Sequence, residues 1–450
     1  MLLFIRIIIL LFSFQNTFAL TQVEINKIQT VLDQQVEQKK TIGISVGLID
    51  GEQKIILYSG YRDLNNKVLL NGTEYFAIGS SGKTLTSLLL AVAVVQNKVN
   101  IDDKINSYIS ELEGHKVGEL SLRQLSSHSS GLQKDPAELY LHSKYSPFEK
   151  MSKEQLIKEA INAEIKLTPG KVKYSNLGVA LIGLSLESVF AMSFQEALVT
   201  QVFEPLKISD MKVKVSDEDL SLMSKKYTTD FKEIPAWQDL GYFSAAGSIK
   251  SDTKTMLNYL YAQLYPENTS ISEAILLSQT TLKEYPKFNL KYAWFQFDKS
   301  YGKVFWHNGA TLGFRTEAFY MPEKKKALVI FNNAGANIEC VHQIFLKGED
   351  CEVKKVVLEE DHILNTFTGD FVDKNNTIRF MVRSTEHGFL TLQVLGQQSS
   401  VRLYKEQQQN FYSFLGKTGH VRFLKNESGE VIGLNLLQNG SLIEATVIIE

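Results

Sequence analysis

The sequence predicts an α+β fold, a mainly antiparallel sheet flanked by helices with a helical subdomain, followed by a separate all-β domain. Three observations predict it. Strand-like runs lie on both sides of a long stretch of helical pattern, at about 100–290, so one sheet is assembled from both ends of the region. Between those runs the apolar residues recur at helical spacing or form continuous apolar blocks. From about residue 365 the texture changes to short alternating or apolar runs punctuated by turn residues.

In chain order, residues 1–19 carry one charge, Arg6, then a mostly apolar run from Ile7 to Phe14, then a small residue, Ala19. This is the pattern of a secretory signal cut after Ala19, and it predicts an exported, periplasmic or secreted product. An uncleaved N-terminal anchor is the alternative reading, although the apolar run is short against the roughly 20 residues of a membrane span. Residues 21–38 place Val23, Ile25, Ile28, Val31, Leu32 and Val36 on one side of a helix. Two strand-like runs, 42–49 and 54–58, flank Asp50-Gly51, a hairpin turn signal. Residues 84–95 are almost entirely apolar and predict a helix buried on all sides. Strand signals return at 292–297, 304–306, 318–321 and 327–331. The later runs at 378–382, 389–394, 421–424, 431–436 and 442–449 predict a small barrel or sandwich. The division that follows is a signal peptide at 1–19, a main domain at 20–350 and a β domain at 360–450.

The chain has 450 residues, 44% hydrophobic and 22% charged, with a formal net charge of -2. Without a basic excess, nucleic acid is excluded as a natural partner. The two cysteines, Cys340 and Cys351, are too few for a zinc site. In an exported chain they are either a small disulfide loop or two free thiols.

Three short motifs carry chemistry. Ser80-Ser81-Gly82-Lys83 is one of four S-x-x-K sequences, the others starting at Ser209, Ser251 and Ser300. Only the first follows a glycine and opens a long apolar helix, which puts Ser80 where free backbone N–H groups point outward. The i,i+3 spacing sets Ser80 and Lys83 on one face. A serine hydroxyl needs a base, and a lysine becomes one when burial or a second cation lowers its pKa. Tyr174-Ser175-Asn176 is the only Y-x-N among eighteen tyrosines, after a Pro169-Gly170 turn and before a helix starting near Leu177. Tyr174 is a second proton carrier, and Asn176 offers a donor and an acceptor to a substrate amide. His307-Asn308-Gly309 is the only H-x-G among eight histidines and follows an aromatic strand. Gly309 allows close approach of a substrate to the backbone, and an N–H of this strand can join the Ser80 N–H in an oxyanion hole. Singly, each motif also reads as structure: a helix-capping serine, a packed loop tyrosine, a strand histidine.

Taken in order, Ser80-x-x-Lys83, Tyr174-x-Asn176 and His307-x-Gly309 resemble the three signature motifs of the serine β-lactamase and penicillin-binding-protein family. Other stretches are similar to the branch that holds class C β-lactamases, D-alanyl-D-alanine carboxypeptidases, D-aminopeptidases and related esterases. They are LRQLSSHSSGL at 122–132, FEPL at 203–206 and AAGSIKS at 245–251. The last makes Ser251 a helix cap rather than a second nucleophile. The resemblance covers about 21–345, and the C-terminal region looks like the lipocalin-like domain that follows some members. It implies an acyl-enzyme on Ser80, with Lys83 and Tyr174 as the base and acid pair and Asn176 holding the substrate amide. It places His307 and Gly309 on the substrate-binding strand, and Ala310 and Ser80 as the oxyanion donors. It implies a small-molecule or peptide substrate with an amide or ester, a cell-wall peptide among them, and no metal or organic cofactor. Two departures stand out. Gly82 replaces a common Ser or Thr, and His307 replaces the lysine of true β-lactamases, which favours a D-alanyl-D-alanine carboxypeptidase-type or other D-amino-acid peptidase, with an esterase or weak β-lactamase of the family as the alternative and a binding or scaffold protein without turnover as the alternative of another class.

Overall fold

The computed structural model describes residues 20–137, 148–167, 171–334, 339–396, 400–406, 412–414, 419–438 and 440–448. The expected signal segment at 1–19 and the Pro169-Gly170 turn lie outside them. The strands in chain order are β1 (Gly43–Asp50), β2 (Gln53–Asp63), β3 (Val68–Leu69), β4 (Phe76–Ala77), β5 (Lys226–Tyr227), β6 (Glu233–Ile234) and β7 (Lys250–Ser251). They continue with β8 (Lys283–Tyr285), β9 (Phe288–Leu290), β10 (Phe295–Lys299), β11 (Gly302–Ala310), β12 (Arg315–Met321) and β13 (Lys326–Asn332). The main sheet has the order β3-β2-β1-β13-β12-β11-β10-β9-β8, so β1 from the N-terminal side pairs antiparallel with β13. A sheet built from both ends of the region is what the strand signals predicted.

Both faces of this sheet are covered, which is why all eight residues of β1 are buried. On one face, Ile44, Val46 and Leu48 meet Ile28, Val31 and Leu32 of helix α1 (Gln22–Glu37) and the C-terminal segment around Val341 and Phe345. Cys340 and Cys351 are joined by a disulfide beside this layer. On the other face, a Cβ at Gly47 would lie 2.7 Å from Leu257, so the glycine lets the helix Thr253–Leu264 lie close on the strand. That helix is capped by Asp252, whose side chain accepts from the Thr255 N–H, and the Ser251 hydroxyl donates to the Asp252 carbonyl instead. Ser251 is therefore not the cap: its hydroxyl is committed to the Asp252 carbonyl, and Asp252, one residue later, supplies the acceptor.

The helical layer is centred on α2 (Lys83–Val95), with α3 (Leu122–Ser126), α4 (Lys153–Ile161) and α5 (Asn176–Phe190) packed around it in one continuous core. Residues 83–93 of α2 are all buried, as the unbroken apolar run predicted. Among the described residues no single helix is long and apolar enough to cross a membrane.

The C-terminal region follows a two-residue strand, β14 (Val356–Val357). Its strands are β15 (Gly369–Asp373), β16 (Arg379–Ser384), β17 (Leu390–Val394), β18 (Val401–Glu406), β19 (Tyr412–Phe414), β20 (Gly419–Lys425), β21 (Val431–Gln438) and β22 (Ser441–Val447). They pair antiparallel in that order, β22 returns to β15, and the eight close into a barrel. Phe371, Phe380, Val382, Leu390, Leu392, Leu403, Val421 and Leu434 fill its interior, the usual state of a small barrel.

Candidate active site

Three stretches of chain meet at Ser80. The segment Gly79–Gly82 is a 3-10 turn that runs into α2, so Ser80 precedes the α-helix and Lys83 is its first residue. β4 holds this turn from behind by pairing with β7, and the Ile78 N–H donates to the Ile249 carbonyl at 2.9 Å. β11 closes on it from the front. A Cβ at Gly309 would lie 1.8 Å from the Ile78 carbonyl oxygen and 3.2 Å from the Ser80 nitrogen. Gly79 sits at φ +53°, and a Cβ there would lie 2.9 Å from the Ala310 nitrogen. Two glycines facing each other thus bring the Ser80 and Ala310 backbones together.

The Lys83 ammonium is fully buried and reaches the Ser80 hydroxyl at 2.8 Å. It also donates to the Ala246 carbonyl, supplied by the short helix Gly241–Ala246 that precedes β7. Burial lowers its pKa from 10.5 to about 7; Asp135 opposes the fall and Lys134 adds to it. The Tyr174 side chain is hydrogen-bonded to Ser80, and its ring centroid lies 5.2 Å from the Lys83 nitrogen. Burial pushes the Tyr174 pKa up, so the phenol keeps its proton. Tyr174 precedes α5, whose cap is Ser175: its hydroxyl accepts from the Gly178 N–H at 2.9 Å.

Asn176, the first residue of α5, donates its amide to Asp135 at 2.6 Å. Its carbonyl oxygen is buried without a hydrogen-bond partner among the described residues. His307 lies on β11 with its ring centroid 6.5 Å from that of Tyr174, and Nδ1 faces the Asn308 carbonyl at 2.6 Å. Burial, with Lys83 nearby, lowers its pKa to about 3, so the imidazole is neutral. Lys83, Tyr174, Gly309 and Ala310 are thus gathered at Ser80, His307 stands beside Tyr174, and Asn176 follows Tyr174 by two residues at the start of α5.

Sequence reasoning gave no role to His128, which the structure puts in the site. Its ring centroid is 4.3 Å from that of Tyr174, and its Nδ1 accepts from the Ser175 N–H at 3.3 Å. Burial, Lys83 and His307 hold its pKa well below the usual histidine range. The signal was the segment LRQLSSHSSGL, which places a histidine at φ +49° just before the chain turns toward Asp135. Among the described residues no group of three or more His, Cys, Asp or Glu is placed to hold a metal ion.

Residues 28–343 match the Beta-lactamase family, and the chain belongs to it. A β-lactamase of Providencia stuartii is 26% identical over 247 residues, covering 54% of this chain and 60% of that protein. A β-lactamase of Escherichia coli K12 is 24% identical over 271 residues, covering 59% and 68%. The chain thus spans about 60% of the length of the first of these relatives. Among solved structures, a class C β-lactamase from Rhodobacter sphaeroides matches with a TM-score of 0.60 at 18% identity, over 70% of this chain and 94% of that one. A β-lactamase/D-alanine carboxypeptidase from Pseudomonas syringae matches with a TM-score of 0.62 at 17% identity, over 69% and 94%. At those identities the likeness is one of fold. The barrel lies beyond residues 28–343, the part that matches the family.

Proposed function

We propose that the chain is a serine hydrolase that forms an acyl-enzyme on Ser80. The observation that carries this is the Lys83 nitrogen, fully buried, 2.8 Å from the Ser80 hydroxyl and brought by burial to a pKa of about 7. A lysine so placed is half neutral at pH 7 and accepts the serine proton. The Ser80 oxygen then bonds to the substrate carbonyl carbon, and the oxyanion rests on the Ser80 and Ala310 N–H groups. The bond to the leaving amine or alcohol breaks. Tyr174 gives the leaving group its proton and is reprotonated from Lys83. Water, losing a proton to the same pair, next attacks the acyl carbon and frees Ser80. Asn176 and the β11 edge hold the substrate amide.

For the substrate, the first reading is a D-amino-acid peptide of the carboxypeptidase kind. The family and the Tyr174-x-Asn176 wall support it. The neutral His307 favours a second reading, an esterase, because it leaves no fixed cation for a carboxylate on the leaving group. The Cys340–Cys351 disulfide supports an exported product in an oxidising compartment. The test is labelling with a fluorophosphonate or penicillin. A mass increase on Ser80 that disappears in a folded Ser80→Ala variant is the expected result, and an unlabelled parent protein removes the mechanism. Turnover of acyl-D-Ala-D-Ala set against p-nitrophenyl esters then chooses between the two substrates.

A further inference from the structure

The turn that carries Tyr174 and Asn176 is bordered along its length by residues 128–135. The Lys173 N–H donates to the His128 carbonyl at 3.1 Å, the Ser175 hydroxyl to the Gln133 carbonyl at 2.7 Å, and the Asn176 N–H to the Lys134 carbonyl at 2.7 Å. The Leu177 N–H shares the Lys134 carbonyl at 3.2 Å. His128 packs its ring on Tyr174 at one end of this seam, and Asp135 meets Asn176 at the other.

At the Asp135 end the contact sets an orientation. Oδ1 of Asp135 accepts from the Asn176 side-chain nitrogen at 2.6 Å. A carboxylate accepts and does not donate, so this bond fixes which way the amide is turned. The nitrogen stays on Asp135, and the carbonyl oxygen points elsewhere, to a place where no described residue donates to it. The Asp135 side chain is 12% exposed, whereas that of Lys134, with its ammonium 3.7 Å from Oδ2, is 67% exposed.

Asp135 also acts through its charge. Lys83 faces the Ser80 hydroxyl, the Ala246 carbonyl, the Tyr174 ring and the neutral His128 and His307. Two charged side chains act on it, and they oppose each other: Asp135 favours the ammonium and Lys134 disfavours it. The shielded carboxylate is screened less by water and salt than the exposed amine, and its effect is the larger of the two. Asp135 also favours the protonated phenol of Tyr174. Both proton carriers are therefore biased toward holding a proton. Taking the serine proton works against that bias, and protonating an amine leaving group works with it.

We propose that Asp135 is a positioning residue of this site, which turns the Asn176 amide by its nitrogen and supplies a fixed negative charge that keeps a proton in the Ser80–Lys83–Tyr174 network. The inference rests on the acyl-enzyme reading above and extends it by one residue.

The test uses Asp135→Asn, Asp135→Ala and Lys134→Gln in the full chain. The rate of fluorophosphonate labelling of Ser80 is followed from pH 5 to 9. Without the carboxylate, the half-point of the limb moves to lower pH. At pH 5.5 the rate of Asp135→Asn, as a fraction of its own plateau, is expected to rise at least about twofold. Lys134→Gln moves the half-point the other way, by less, and the difference fades at high salt. The orientation is read from kcat/KM for N-acetyl-D-alanine p-nitrophenyl ester against p-nitrophenyl propionate, which share a leaving group and differ in the amide. The parent is expected to prefer the amide-bearing ester. Asp135→Asn keeps that preference, because its carboxamide oxygen still accepts from Asn176, and Asp135→Ala loses it. A half-point unmoved in Asp135→Asn, or moved the same way in Asp135→Asn and Lys134→Gln, overturns the electrostatic role. No preference in the parent, or an equal preference in Asp135→Ala, overturns the orienting role. Absence of Ser80 labelling in the parent overturns the acyl-enzyme reading itself.

Discussion

Acylation of Ser80 is expected to rise with pH along a limb whose half-point is near pH 7, and to lose that limb in Lys83→Met. The perturbation is deprotonation of one buried amine. Lowering its pKa from 10.5 to about 7 makes the charged form about 5 kcal/mol less favourable in the folded protein than in water. At pH 5 roughly one molecule in a hundred carries the neutral amine, at pH 6 roughly one in ten, and at pH 9 nearly all. No neighbour competes for the assignment. His307 is pushed to about 3, His128 falls well below its usual range, and Tyr174 is pushed up, all mainly by burial. The assay is the second-order rate of fluorophosphonate labelling at constant ionic strength from pH 5 to 9. A tenfold gain per pH unit below 7 and a plateau above it are expected. A flat profile, a half-point near 10, or a limb that survives in Lys83→Met refutes the assignment of Lys83 as base.

The same group sets a stability signature. The unfolded chain, with the higher pKa, holds more protons between pH 7 and 10.5, so the burial penalty is absent above 10.5, grows as pH falls and is complete below 7. Lys83→Met removes it and forfeits hydrogen bonds to Ser80 and Ala246. The variant should therefore be inactive yet more stable than the parent at pH 6, by about 1–3 kcal/mol after that offset, with the advantage shrinking toward pH 9.

Other substitutions separate the remaining roles. Tyr174→Phe should slow turnover of amides by about 10²–10⁴-fold but p-nitrophenyl esters far less, because nitrophenolate leaves without a proton; equal losses would deny Tyr174 the donor role. Gly309→Ala forces a Cβ into the Ile78 carbonyl and should cost about 1–3 kcal/mol, read by thermal unfolding, while slowing Ser80 labelling; an unaffected labelling rate would mean that β11 contributes nothing to the oxyanion. Arg402→Met strands the carbonyls of Thr229 and Ala334 and should lower stability by about 3 kcal/mol or more, with the barrel released to limited proteolysis. A melting temperature and digestion pattern equal to the parent's would show that the barrel is held by other contacts.

The sequence pattern located most elements because their burial is one-sided or complete. The α1 stripe, the Asp50-Gly51 hairpin and the apolar α2 were each visible for that reason. β19 escaped because three residues are too few to show a period. β18 escaped because both of its faces are buried in places, Leu403 in the barrel and Arg402 with Tyr404 against the main domain. Arg402 itself reads as a surface cation, since its partners are backbone carbonyls at positions 39, 40, 229 and 334, and no side-chain pattern encodes a carbonyl. In the site, the seven residues were singled out by three short motifs and by the family resemblance that their order carries, whereas their electrical state was not legible. The charge on His307 and Lys83 depends on how much protein surrounds each ring or amine, and that is a property of the packed core.

On the proposed mechanism the base comes mainly from packing, with Lys134 adding to the effect. His307 is neutral, and the first-ranked cause of the low Lys83 pKa is burial. The atoms that exclude water from Lys83 belong to α2, α5 and the segment before β7, the same apolar layer that stabilises the helical side of the fold. Lys83 can be in that layer only because Ser80 and the Ala246 carbonyl receive its hydrogens; without them the amine is an unsatisfied polar group in a low-dielectric interior. On that mechanism the apolar run 84–95 has a chemical role as well as a structural one, since the layer it belongs to lowers the pKa of an amine beside a serine. A fixed cation at position 307 would depress the amine further.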